Sequence, residues 1–157
     1  MLCVTPFIMI SKKKDDSMAS SIEAEVNNLK TAISMPCRLR VLMVEDSEDD
    51  ALLIVRHLKK DGYDPFYERV DTPAEMSKAL QNKPWDVILC DYKMPTFDAL
   101  SAIAQVTGSD IDIPVIIVSG AVGEEKAVEC MRMGARDYIM KNSLTRLGPA
   151  IAREVSE

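Results

Sequence analysis

Histidine and cysteine are scarce in this 157-residue chain, which carries one His and four Cys. Cys3, Cys37, Cys90 and Cys130 stand far apart, with no C-x-x-C pair and no neighbouring histidine suited to zinc. A reducing cytoplasm is the expected compartment. The lone His57 lies beside Lys59 and Lys60 on the expected solvent side of a helix, a poor position for a ligand or a phosphodonor. Positive charge is also in deficit. Nineteen Lys and Arg against 25 Asp and Glu leave a net charge of -6, which argues against a direct, sequence-independent hold on nucleic acid. Long apolar runs are missing as well. The opening MLCVTPFIMI is about half of the roughly 20 residues that span a bilayer and has no basic region ahead of it, so neither a signal peptide nor a membrane anchor is expected.

What is present fits one compact domain with a single site. Residues 1–36 read as an extension: an apolar start, a solvated run from Lys12 to Asp16, then a short helix opened by Ser20 with Glu23 three residues on. Ile22, Val26, Leu29 and Ile33 alternate four- and three-residue steps, a coiled-coil spacing too short to outweigh an amphipathic or frayed arm. Its first 34 residues are expected to be dispensable for folding, and the domain proper to occupy residues 37–157.

From Leu39 onward, β-branched apolar runs alternate with segments of helical period, the pattern of parallel strands covered on both faces by helices. Strands are expected near Leu39 to Val44, Pro65 to Val70, Asp86 to Cys90, Pro114 to Val118 and Asp137 to Met140. Ser47 should cap the first helix, with Glu48, Asp49 and Asp50 favouring its dipole and Leu52, Val55 and Leu58 as its buried stripe. Thr72 followed by Pro73 marks the start of the second helix, and Gly134 the end of the fourth. Gly148 and Pro149 place a turn after Leu144 and a helix from Pro149. In such an open sheet the functional crevice lies at the carboxyl ends of the strands.

Those ends are acidic. VLMVED closes the first strand with Glu45 and Asp46, and DVILCD closes the third with Asp91. At about 5 Å and an effective dielectric near 20, each carboxylate pair would repel by roughly 3 kcal/mol. Either a raised pKa or a bound divalent cation must compensate, and an all-oxygen cluster suits Mg2+, with Mn2+ as an alternative. A metal beside an aspartate nucleophile is the arrangement phosphoryl transfer requires. Ser119 and Lys141, at the ends of the fourth and fifth strands, add a hydroxyl and a positive charge.

In that order, VLMVED, DVILCDYKMP, PVIIVSG and ARDYIMK resemble the receiver domains of two-component response regulators, over about Arg38 to Ser156. The resemblance implies a doubly wound five-stranded parallel sheet of order 2-1-3-4-5, the flavodoxin-like receiver fold. It implies Asp91 as phosphoacceptor, and Glu45, Asp46, Asp91 and the backbone carbonyl of Lys93 as the metal site. Ser119 and Lys141 would stabilise the phosphoryl group, and Ser119 and Tyr138 would form a switch that remodels the face of the fourth helix, fifth strand and fifth helix. A histidine kinase or histidine phosphotransfer protein would be the donor, and that face a surface for a partner or a homodimer. The chain would be a signalling module and not a turnover enzyme. It departs from the family in having Asn142, not proline, after the lysine. Asn142 is expected to cap the following turn. The small Gly120 and Ala121 should leave the acceptor open.

Other functions fit less well. Aspartate-nucleophile phosphatases use D-x-D, and Lys93 stands at the second position. A flavin binder would cradle phosphate in a hydroxyl- and glycine-rich loop, where this chain has EDSEDD. A degenerate receiver acting without phosphorylation is opposed by the complete set of Glu45, Asp46, Asp91, Ser119 and Lys141.

Overall fold

The computed structural model describes residues 18–29, 35–120 and 123–156, and the chain divides into two units, Met1–Met35 and Pro36–Glu157. In the first unit residues 18–29 are helical, so Ser20 falls within the helix and not ahead of it. Ile22, Val26 and Leu29 are exposed there. The apolar opening, the lysine run and Ile33 lie outside the described residues, as does Ala121.

The second unit alternates strands and helices: β1 (Cys37–Val44), α1 (Glu48–Lys60), β2 (Tyr63–Val70), α2 (Pro73–Asn82), β3 (Val87–Cys90), α3 (Ala99–Thr107), β4 (Val115–Ser119), α4 (Glu124–Met133), β5 (Asp137–Met140), a 3-10 segment (Lys141–Arg146) and α5 (Leu147–Val155). Its five strands form one parallel sheet of order β2-β1-β3-β4-β5, as the sequence led us to expect. Alternation along the strands feeds two cores. Leu42, Val44, Ile88, Cys90 and Ile117 pack with Met76 of α2, Ile103 of α3 and Cys130 of α4. Val41, Met43, Leu89, Ile116, Val118 and Ile139 pack with Ile54 and Leu58 of α1 and Leu147 and Ile151 of α5. Burying both faces gives the central strands their continuous apolar character.

Local chemistry explains most element ends. Ser47 Oγ accepts the Asp50 N–H at 3.2 Å, and Thr72 Oγ1 accepts the Glu75 N–H at 3.3 Å, with Pro73 in the first turn. Gly134 ends α4 with φ of 116°, where an added Cβ would stand 2.9 Å from Thr107 Cγ2. Gly134→Ala is therefore expected to destabilise the domain by about 1–3 kcal/mol, from the left-handed backbone plus the contact; a chemical denaturation midpoint equal to wild type would contradict this.

Four expectations need correction. The inward stripe of α1 is Ala51, Ile54, Val55 and Leu58, and Leu52 is exposed. Phasing from Leu58 back by seven and four residues reaches Ala51 and Ile54, and the small Ala51 hid that phase. The second strand starts at Tyr63, because β2 is an edge strand and can hold Pro65 without losing a bond to a second neighbour. Helix α5 starts at Leu147, so Gly148 and Pro149 fall in its first turn, where an absent proline N–H costs nothing. A Cβ at Gly148 would lie 2.5 Å from Asp61 Oδ2, so a side chain there would oblige Asp61 to shift. Finally, Asn142 sits inside the 3-10 segment and gives no side-chain cap.

Candidate functional site

Parallel strands bring all their carboxyl ends to one edge, and the register decides which residues meet there. The Asp91 N–H donates to the Val44 carbonyl at 2.8 Å and the Glu45 N–H to the Val70 carbonyl at 3.0 Å. These bonds set the residues that follow β1 and β3 side by side. Ser119 is the last residue of β4, paired with Met140 of β5, so Lys141 emerges at the same edge. Glu45, Asp91 and Ser119 are the buried polar residues of the molecule among those described, while Asp46 and Lys93 are exposed.

Carboxylate oxygens of Glu45, Asp46 and Asp91 lie within 4.8 Å of one another. The Lys141 ammonium enters this cluster, donating to Glu45 Oε2 at 2.9 Å and Asp50 Oδ2 at 2.6 Å and lying 3.5 Å from Asp91 Oδ2. Burial opposes its charge, but the hydrogen bonds to Asp50 and Glu45 and the fields of Glu45 and Asp91 outweigh burial and hold it protonated well above the usual lysine range. Burial raises the Glu45 carboxyl, against the pull of Lys141 and of the Ser47 N–H, which donates to Glu45 Oε1 at 3.1 Å. Burial also raises Asp91, against Lys141 and the Lys93 and Tyr92 N–H groups. One ammonium thus leaves the cluster short of positive charge. The donors are all oxygens, two of the three carboxylates are desolvated, and a hard divalent cation fits that set.

Ser119 and Tyr138 complete the edge. The Tyr138 hydroxyl is raised mainly by burial and drawn down by nearby Ser119, and among the described residues no hydrogen bond of standard geometry reaches it. A Cβ at Gly120 would meet nothing within 4 Å among the described residues. By contrast, a cavity of about 770 Å³ lined by Arg38, Arg40, Phe66 and Asp86 opens at the amino ends of the strands, where Arg40 and Asp86 satisfy each other through two side-chain hydrogen bonds. It holds none of the acidic cluster.

Two residues at the site escaped the sequence reading. Arg69 Nη1 donates to the Glu45 and Asp46 carbonyls at 3.1 and 3.3 Å, bracing the loop that carries both acids. Nothing in the weakly patterned second strand singled it out. Asp50 was read only as a first-turn acid, although it lies four residues before buried Ile54 and so on the inward side of α1; the misphased stripe concealed that signal.

Comparison with known proteins agrees with this fold. The family model described as response regulator receiver domain matches residues 41–151. The transcriptional regulatory protein PrrA of Mycobacterium tuberculosis is 30% identical over 72% of this chain and 46% of its own length. A protein-glutamate methylesterase/protein-glutamine glutaminase of Rhodospirillum centenum is 34% identical over 68% of this chain and 28% of its own. The chain therefore spans less than half the length of these relatives. Among solved structures, the signal receiver domain of a signal transduction histidine kinase from Syntrophus aciditrophicus superposes with a TM-score of 0.63 at 28% identity, covering 75% of this chain and 90% of that one. A receiver domain protein from Clostridium thermocellum, 22% identical, shares the fold with a TM-score of 0.65 over 75% and 94%.

Proposed function

Because the chain belongs to the response regulator receiver family, we propose that it accepts a phosphoryl group on Asp91 in an Mg2+-dependent reaction and signals through the resulting change of surface. The observation that carries this reading is the buried Asp91 carboxylate within reach of Glu45, Asp46 and the Lys141 ammonium. In the proposed reaction an Asp91 oxygen attacks phosphorus of a donor phosphohistidine. The P–N bond breaks, its electron pair stays on the imidazole nitrogen, which takes a proton from solvent, and an acyl phosphate remains.

Glu45 and Asp46, with Asp91 and the Lys93 carbonyl, would hold the ion, which when bound supplies positive charge opposite the phosphoryl oxygens. Lys141, 3.5 Å from Asp91 Oδ2, would supply a second positive charge, and Ser119 a hydroxyl donor. Burial of Asp91 limits access of water. On this reading the Tyr138 ring, whose hydroxyl lies near Ser119, changes position once Ser119 turns toward phosphate. The face of α4, β5 and α5 is then where a partner, or a second copy, detects the change.

A histidine kinase or histidine phosphotransfer protein is the proposed donor, which places the domain in the cytoplasm. Among the described residues no helix is long and apolar enough to cross a membrane. The output does not transfer from relatives, since one is a transcriptional regulatory protein and another a methylesterase/glutaminase. We also place the independently folding domain at residues 37–157. The test is incubation with acetyl phosphate and Mg2+ followed by intact mass. One added phosphoryl group is expected with Mg2+ and none in excess chelator; unmodified protein in both arms would refute the reading.

A further inference from the structure

Lys141 is shared unequally. Its ammonium has three N–H donors and three carboxylates around it, yet it bonds to Asp50 at 2.6 Å and Glu45 at 2.9 Å and stands 3.5 Å from Asp91. Glu45 is buried at the end of β1 and belongs to the acidic cluster itself. Asp50 does not: it sits in the first turn of α1, its side chain 41% exposed, on a backbone pinned by the Ser47 cap.

We propose that Asp50 is a positioning residue that tethers Lys141 away from Asp91 in the unmodified protein and so limits how readily the ammonium turns to an incoming phosphoryl group. This rests on Asp91 being the phosphoacceptor. The physical basis is competition for one cation. A phosphoryl group on Asp91 offers new anionic oxygens, and a move of Lys141 from 3.5 Å toward them draws it off its shortest charge-assisted bond, to Asp50 at 2.6 Å. The tether therefore stabilises the unmodified state selectively, and whatever favours one state shifts the population only by that difference. Asp49, the preceding residue, carries the same charge in the same helical turn and is exposed, with no bond to Lys141. It separates the tether from a general effect of negative charge near the site.

The experiment is a calorimetric or NMR titration of the full chain with beryllofluoride, a phosphoryl stand-in, at saturating Mg2+. Asp50→Asn is expected to bind about three- to fivefold more tightly than wild type, the scale of a half-exposed ion pair. Asp50→Glu, which keeps the charge, should return to near the wild-type value, and Asp49→Asn should match wild type. Equal affinities for Asp50→Asn and wild type, or the same gain in Asp49→Asn, overturn the tether while leaving the phosphoacceptor intact. A wild-type protein that does not bind beryllofluoride at all overturns both.

Discussion

Asp91→Asn is expected to take up no phosphoryl group under conditions proposed to label wild type, the largest effect expected of any single change in this protein. The amide keeps the volume and backbone position of the carboxylate but has no anionic oxygen to attack phosphorus. No other acid replaces it, because Glu45 is occupied by Lys141 and the Ser47 N–H, and Asp46 is exposed outside the strand end. Intact mass after acetyl phosphate and Mg2+ checks this, and a modified Asp91→Asn protein would sink the assignment. The same variant carries a second signature. Burial raises the folded-state pKa of Asp91 above its ordinary value, so the folded state binds this proton more tightly than the unfolded chain. The associated stability is present at acid pH and is lost as pH rises through the folded pKa. In chelator, Asp91→Asn should lack that loss, and its stability should decline less between the acid range and neutrality than that of wild type.

Lys141→Ala is expected to cost about 3–5 kcal/mol of stability at pH 8 in the absence of metal. Removing the ammonium strands Glu45, whose side chain is 3% exposed, without its ionic partner, and a buried ion pair broken from one side costs that much. The deficit should depend on pH. Glu45 and Asp91 are already raised by burial with Lys141 pulling them down, so losing Lys141 raises them further. The folded variant then holds protons that the unfolded chain releases, its stability falls as pH rises, and the deficit shrinks toward pH 5. Mg2+ should restore part of it by supplying positive charge to the same oxygens. Urea denaturation at pH 5 and 8, with chelator and with Mg2+, checks all three points. A deficit under about 1 kcal/mol that ignores both pH and metal would place Lys141 among exposed, weakly coupled pairs and remove the electrostatic basis of the site.

The same contrast between local and tertiary causes runs through the fold. The strand sequences ending in Glu45, Asp91 and Ser119, the Thr72–Pro73 start and the Gly134 stop were legible because each depends on neighbours in the chain: apolar continuity, a side-chain oxygen three residues before an N–H, a left-handed backbone. The order of five strand–helix pairs was enough for the sheet. Where the reading slipped, the cause was packing. Ala51 took an inward place that Leu52 was expected to hold, and Pro149 entered the first turn of α5 because that turn needs no N–H from it.

At the site, the sequence alone determined the cast and the edge, since parallel strands must deliver the residues at their carboxyl ends to one side. Only the tertiary structure decided how one ammonium is divided among acids up to 96 residues away, that Arg69 braces the acidic loop, and that the Tyr138 hydroxyl comes to lie near Ser119. Strand ends are encoded by short-range pattern, whereas a charge distributes itself according to distances and burial that exist only when β1, α1, β3 and β5 have packed together.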